Sequence, residues 1–283
     1  MTHATQISAQ ISASAKQLLD EFSAVSGIKK NRIVEDALWF YVRARLELPE
    51  SAMVPARMVL AERGAAAAER SMAQPPQATP ALRRLMQTIE RPDEAYPVAE
   101  PAIRRLLASD DTSRFRCGDQ EYDLFLQRYA GQNQDRLFVG TTYAALDGPW
   151  VVGYVTVAVG QLDRDDVPSK VRGGLPRYPL PVLRLARLAV DEAFQGHGLG
   201  RRLAAYALAV ALQVRAAAGC VGVVVDALPR RVSFYAELGF VELELTSGQS
   251  AIRPQPVAMF LPIGAVEAAL PSSPMRRGSG AES

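Results

Sequence analysis

The sequence predicts an α/β (α+β) fold, a mixed central sheet flanked by helices, preceded by a small separate helical module. Three observations carry this. From Tyr96 onward, apolar runs of strand length alternate with helical ones. Between two such runs lies the loop "QGHGLG", residues 195–200, a glycine-rich strand-to-helix junction. The texture also changes twice: residues 1–48 form a compact unit, residues 49–91 are rich in Ala, Pro, Arg and Glu, and residues 92–270 carry the strands and helices. The last stretch, 271–283, "PSSPMRRGSGAES", is too polar and Gly/Ser-rich to fold and is expected to be a disordered tail. A chain of 283 residues is long enough for two domains, each with a core.

The net charge of +2 gives no whole-chain electrostatic argument for nucleic acid, so any basic surface must be local. There are two cysteines, Cys117 and Cys220, and no apolar run of membrane-spanning or signal-peptide length. The expectation is a cytoplasmic protein with reduced thiols, no membrane partner, and Cys220 buried in a strand. With His3 and His197 the only histidines, no metal constellation is expected.

Along the first unit, residues 5–11 alternate, Ile7, Ala9 and Ile11 on one face and Gln6, Ser8 and Gln10 on the other, which predicts one short strand. A single strand needs a partner, and the simplest is the same strand of another copy. Ser12 or Ser14 can cap a helix bearing Leu18, Leu19, Phe22 and Val25, closed by Gly27 in a left-handed turn. A second helix is expected from about Lys30 to Leu46, with Ile33, Val34, Ala37, Leu38 and Tyr41 inward.

Glycines at a strand-to-helix junction let a phosphorylated ligand approach the free N–H groups of a helix N-terminus. Two common cradles fail on spacing. A P-loop needs Lys-Ser/Thr after its last glycine, where this chain has Arg201-Arg202, and a dinucleotide fingerprint needs glycine at 201. What remains, Gln195-Gly196-His197-Gly198-Leu199-Gly200, resembles the Q/R-x-x-G-x-G/A pyrophosphate loop of GNAT-superfamily N-acetyltransferases. The resemblance continues upstream in "RLARLAVDEAFQG" and downstream in "VVVDALPRRVSFYAELGFVEL". It implies acetyl-CoA as the cofactor, with the pyrophosphate held by Gln195, Gly196, His197, Gly198, Leu199, Gly200 and Arg201. The strand ending Leu188-Ala189-Val190 would lie beside the pantetheine arm, an N–H near Val190 polarising the thioester. Tyr235, in the family's tyrosine position, would protonate the departing thiolate; the alternative is a tyrosine that merely packs.

Strand, helix, turn, helix at this length resembles the ribbon-helix-helix DNA-binding fold, a dimer whose paired strands enter the major groove. The resemblance implies operator DNA as partner, bases touched by Gln6, Ser8 and Gln10, phosphates by Lys29, Lys30 and Arg32. The family's usual strand arginines are missing, and a plain dimerisation cap is the alternative. The segment "AERSMAQPPQATPALRRLMQ" resembles the C-terminal tail of the ribbon-helix-helix antitoxins paired with GNAT toxins. By that resemblance Leu82, Arg83, Arg84 and Leu85 neutralise the enzyme; otherwise the segment is a spacer. Phe115 to Asp119, then Leu124 to Leu126 and Gln132 to Gln134, look like the opening of the toxin branch, whose members acetylate the α-amine of aminoacyl-tRNA. The chain thus reads as a ribbon-helix-helix antitoxin fused to its toxin, and residues 92–283 alone are expected to arrest growth.

No carboxylate stands out as a general base, which suits an α-amine of pKa ~7.7–8.0 better than a lysine near ~10.4. His197 is read as non-catalytic, and Asp226 as the end of a strand on the acceptor side. Candidate tRNA contacts are Arg128, Arg136, Arg177, Arg184, Arg187, Arg230 and Arg231. Two other classes stay open: a metabolic or protein N-acetyltransferase with an N-terminal dimerisation module, and an acetyl-CoA-responsive transcriptional regulator.

Overall fold

A computed structural model of the chain describes residues 8, 10–11, 13–47, 56–87, 101–164, 179–250 and 253–270. The strand expected over 5–11, with Gln6, falls largely outside them, as do Arg177 and the 271–283 tail. The chain divides into two compact units, Met1–Pro49 and Glu50–Ser283.

In the first unit α1 spans Ala13–Ser26 and α2 spans Lys30–Glu47, as the spacing predicts. Gly27 turns the chain at φ +70°, its N–H donating to Ser23 O, a conformation that suits a residue without Cβ. Of the apolar residues expected to face inward, Leu19 and Ile33 are half-buried and several others are exposed. Val34 and Leu38 are 43% exposed, and Phe22, Ile28 and Val42 are exposed as well. Two helices of this length enclose too little volume to bury both apolar stripes, so the unit presents an apolar face. Ser8 and Gln10 are exposed, and Lys30 and Arg32 are engaged in surface ion pairs with Asp20 and Asp36.

The second unit is built on a sheet of β2 (Ala102–Arg105), β3 (Thr141–Asp147), β4 (Trp150–Arg164), β5 (Leu180–Val190), β6 (Gly222–Ala227), β9 (Val257–Pro262) and β7 (Val241–Glu242), in that spatial order. Neighbours are antiparallel except β5 and β6. The β5 side chains alternate between two buried faces, hence its near-continuous apolar sequence. One face carries Leu183, Leu185, Val223, Val225 and Leu261 against α7 (Leu199–Ala218). The other carries Val182, Val224 and Phe260. Cys220 is buried but lies just ahead of β6 rather than within it.

Residues 56–87 are not a spacer on this unit. Arg57–Leu60 forms β1, parallel to the end of β4 and antiparallel to β8 (Leu245–Ser247). It thereby forms with β8 a branch off the end of β4, outside the main strand path. Glu62–Ala73 forms α3, which covers the second face with Ala65 and Ala68 beside Phe260. Pro80–Gln87 forms α4, whose Leu82, Leu85 and Met86 enter the first-face core. Thr79 caps α4, accepting from Leu82 N–H at 3.0 Å, and Pro80 occupies the first helical position. The fit is backbone on backbone. A Cβ on Gly64 would lie 2.2 Å from Glu244 O, and one on Gly248, at φ +84°, 2.2 Å from Arg57 O.

Candidate active site

The site begins where β5 and β6 part. Their pairing runs from Val182 with Gly222 to Leu185 with Val225, yet β5 continues to Val190 and β6 to Ala227. At the parting point β5 bulges: Thr156 faces Arg187 and Val157 faces Leu185, so Ala186 of β5 has no register partner on β4. A bulge of this kind re-aims side chains and frees backbone groups. Here it brings Arg184 and Arg187 onto one face and leaves an opening between strands beside Leu188, Ala189 and Val190.

The glycine loop stands at the end of that opening. Gln195 ties it down, its Nε2 donating to Val190 O at 2.9 Å and Cys117 O at 3.1 Å. Gly196 and Gly198 adopt φ +81° and +85°, and a Cβ on either would meet nothing within 4 Å. These glycines therefore serve conformation and open space rather than packing. Gly198 caps α7 without a side-chain hydrogen bond; Arg201 N–H turns back to Gly198 O at 2.9 Å, and the helix N-terminus ahead of it is suited to receive an anion. His197 is exposed, Leu199 is buried, and Arg201 is exposed with its guanidinium 6.0 Å from the Phe234 ring centroid. This cradle fits the pyrophosphate of a coenzyme A thioester. Gly198→Glu is expected to abolish acetyl-CoA binding, because it sets a negatively charged side chain in the cradle expected to take the phosphates; unchanged affinity by calorimetry would refute the placement.

Tyr235 lies on α8 (Val232–Glu237), in the same apolar cluster as Leu188, Val190 and Leu199. Its ring packs edge-on between Phe234 and Phe240 at 5.0 and 5.5 Å. Burial pushes its phenol above the ordinary value of 10, so it stays a proton donor at neutral pH. Among the described residues none hydrogen-bonds its hydroxyl. The α4 element meets this helix directly: Thr79 Oγ1 donates to Glu237 O at 2.9 Å. Leu82 and Leu85 are buried beside it, while Arg83 and Arg84 are exposed.

On the other face of the opening, Arg184 and Arg187 are 0% and 2% exposed, so neither is a surface contact for tRNA as the sequence suggested. Arg184 makes a bidentate pair with Asp226, both bonds 2.8 Å, and donates to Gly248 O. Asp226 thus holds the strands together at the splay. Asp226→Ala, which leaves a buried guanidinium without its carboxylate, is expected to cost about 3–5 kcal/mol in denaturant unfolding. Arg187 stacks on Phe125, 3.9 Å from the ring centroid. Phe125 opens a π-helical segment, Phe125–Tyr129, that follows α5 (Gln120–Leu124). Tyr154 donates to Tyr122 O at 2.9 Å, and burial pushes the Tyr122 phenol up to about 12. Arg128, Arg136, Arg230 and Arg231 remain exposed. Cys117, pushed up to about 12 mainly by burial, stays a thiol.

A glycine cradle, a bulged strand and a buried tyrosine around one splay define an acyl-CoA-dependent transferase. Residues 101–240 match the acetyltransferase (GNAT) family. A tRNA-acetylating toxin of Mycobacterium tuberculosis (strain ATCC 25618 / H37Rv) is 35% identical over 137 residues, 47% of this chain and 79% of that protein. The crystal structure of AtaTR bound with AcCoA aligns at 30% identity and TM-score 0.51, covering 60% of this chain and 98% of that one. A tyrosine-to-phenylalanine mutant of KacT aligns at 27% and 0.50, covering 59% and 98%. The chain belongs to the GNAT acetyltransferase family, as an acetyl-CoA-dependent N-acetyltransferase whose catalytic domain is related to tRNA-acetylating toxins. Among the described residues no helix is long and apolar enough to cross a membrane.

Proposed function

We propose that the chain is a toxin and its antitoxin in one polypeptide. The acetyltransferase transfers acetyl to the α-amine of aminoacyl-tRNA, and the N-terminal part binds operator DNA and restrains the enzyme. The observation that carries this reading is the docking of Thr79 and α4, within the segment 68–87 similar to an antitoxin tail, onto the helix bearing Tyr235. The likeness to a tRNA-acetylating toxin supports the acceptor. Acetyl-CoA supplies a thioester carbonyl and a thiolate leaving group. Gln195 to Arg201 hold its phosphates, Leu188 to Val190 flank its arm, and Tyr235 donates a proton to the leaving sulfur. The restraint acts at α8: α4 fixes the helix end two residues beyond Tyr235 through Thr79, with Leu82 and Leu85 wedged beneath, whereas Arg83 and Arg84 stay free for solvent or tRNA.

The test is transfer of labelled acetyl by the purified full-length chain to charged tRNA, deacylated tRNA and protein extract. The expected label is an N-acetyl amino acid released from charged tRNA by mild base, formed slowly by the wild type and faster by Thr79→Val, which removes the bond to Glu237 O and keeps the buried apolar contacts of α4. Label on protein or small amines would replace this reading with a metabolic or protein N-acetyltransferase. Equal rates for the two proteins would remove the restraint.

The exposed apolar face of α1 and α2 supports pairing with a second copy, in which Gln6, Ser8 and Gln10 face bases and Lys29, Lys30 and Arg32 face phosphates. The protein is expected to be at least dimeric and to bind a palindromic site, with affinity falling steeply as salt rises. Gln6→Ala and Gln10→Ala should each cost about 1–3 kcal/mol, the worth of one bidentate pairing with a base. Normal gel shifts by both variants would leave the unit a dimerisation cap.

A further inference from the structure

Transfer to an amine is aided by a group that holds the incoming nitrogen and takes its proton, and the sequence offers no obvious one. The structure assigns this task to Glu121: we propose that its carboxylate is the acceptor-amine site, taking a primary ammonium over the splay between β5 and β6. Three contacts place it there. Asp119 fixes the start of α5 by accepting from Glu121 N–H at 3.1 Å, and Arg230, on the lip ahead of α8, approaches Asp119 at 3.5 Å. One turn on, Phe125 N–H donates to Glu121 O, so Glu121 and Phe125 share a helix face. The Phe125 ring stacks on Arg187, one residue beyond the bulge. Glu121 therefore lies on the face of α5 that looks onto the opened strands.

Its Oε1 is buried and has no hydrogen-bond partner. Withdrawing a carboxylate oxygen from water without a partner is costly, so such an atom marks a place where a donor is received. An ammonium is the matching donor, with three N–H groups and a charge opposite to the carboxylate. The buried Arg187 guanidinium, stacked on Phe125, brings a positive charge to the same side of α5. When the nitrogen attacks, the C–N bond forms and the C–S bond breaks. Of the two protons the ammonium nitrogen sheds, one passes through Glu121 to solvent, and the other offsets the proton Tyr235 gives to sulfur.

This inference rests on acetyl transfer to an amine and not on that amine being carried by tRNA. The test is accordingly a binding measurement with a small probe. The full-length chain saturated with CoA is titrated with an amino-acid methyl ester and with its N-acetylated counterpart, read by calorimetry. The ester is expected to bind and the N-acetylated form not, with binding weakening above the amine's own pKa of about 7.7–8.0. Glu121→Gln, equal in shape, should weaken ester binding by about tenfold or more, with CoA affinity and melting temperature unchanged, and Glu121→Asp should recover part of the loss. Equal ester binding by Glu121→Gln, or none by the wild type, would overturn the proposal. So would a parallel loss of CoA affinity and melting temperature, which would make the carboxylate a structural group. Ester binding without acetylation of charged tRNA would leave this site standing and remove the tRNA reading alone.

Discussion

Replacing Tyr235 by phenylalanine is expected to leave CoA affinity intact and to lower turnover by roughly 10²-fold or more, the usual scale for one acid catalyst. The ring contributes packing, edge-on to Phe234 and Phe240, and phenylalanine keeps that packing. What disappears is the proton. Because burial raises the phenol above its ordinary value, the acid form persists at every pH below about 10. A fall in turnover with rising pH below that point must then come from the acceptor amine or another group, and the variant's residual activity should show the same profile. Thiol release measured under saturating acetyl-CoA decides the matter. Normal turnover by the variant would mean that water or another side chain protonates the sulfur.

The parts of this protein set by local chemistry were legible in its sequence. Gly27 closes α1 in a left-handed turn because nothing else does so without strain, and the Gly198 junction at φ +85° announces a cradle for the same reason. Phe234-Tyr235 and Gly239-Phe240 fall on a short helix and its turn, as the family resemblance implied. What stayed hidden depends on partners far away in the chain. Arg57–Leu60 is four residues long, and its strand character comes from pairing with Gln161 to Arg164, about a hundred residues on, and with Leu245 to Ser247, further still. Arg184 and Arg187 read as surface charges because a sequence cannot show that a bulge at Ala186 turns both inward, onto Asp226 and Phe125. Glu121 carried no signal at all, since a carboxylate in the first turn of a helix is ordinary. Only its buried, unpartnered oxygen sets it apart.

Leu82→Ala is expected to lower the stability of the whole acetyltransferase by about 2–5 kcal/mol, in a single cooperative transition, rather than to release a loosely bound tail. Leu82 and Met86 are fully buried among α7 and α8 residues, Leu85 is 3% exposed, and Met58, Val59 and Leu60 are buried around β1. Six such side chains at ~1.5–3 kcal/mol each amount to on the order of 10 kcal/mol, comparable with the entire stability of a domain at roughly 5–15 kcal/mol. The segment similar to an antitoxin tail is therefore a folded-in part of the enzyme. A fragment beginning at residue 92 would lack β1 and expose both core faces, so its failure to poison cells would say nothing about the toxin reading. Arg83→Ala and Arg84→Ala, at exposed positions, should change stability by no more than about 0.5 kcal/mol. Hydrogen exchange distinguishes the two cases. In Leu82→Ala, amides of β6 and α7 should lose protection together with those of residues 57–87. Exchange confined to residues 57–87, with acetyl-CoA binding retained, would instead make the segment a detachable clamp and restore the fragment as a test of toxicity.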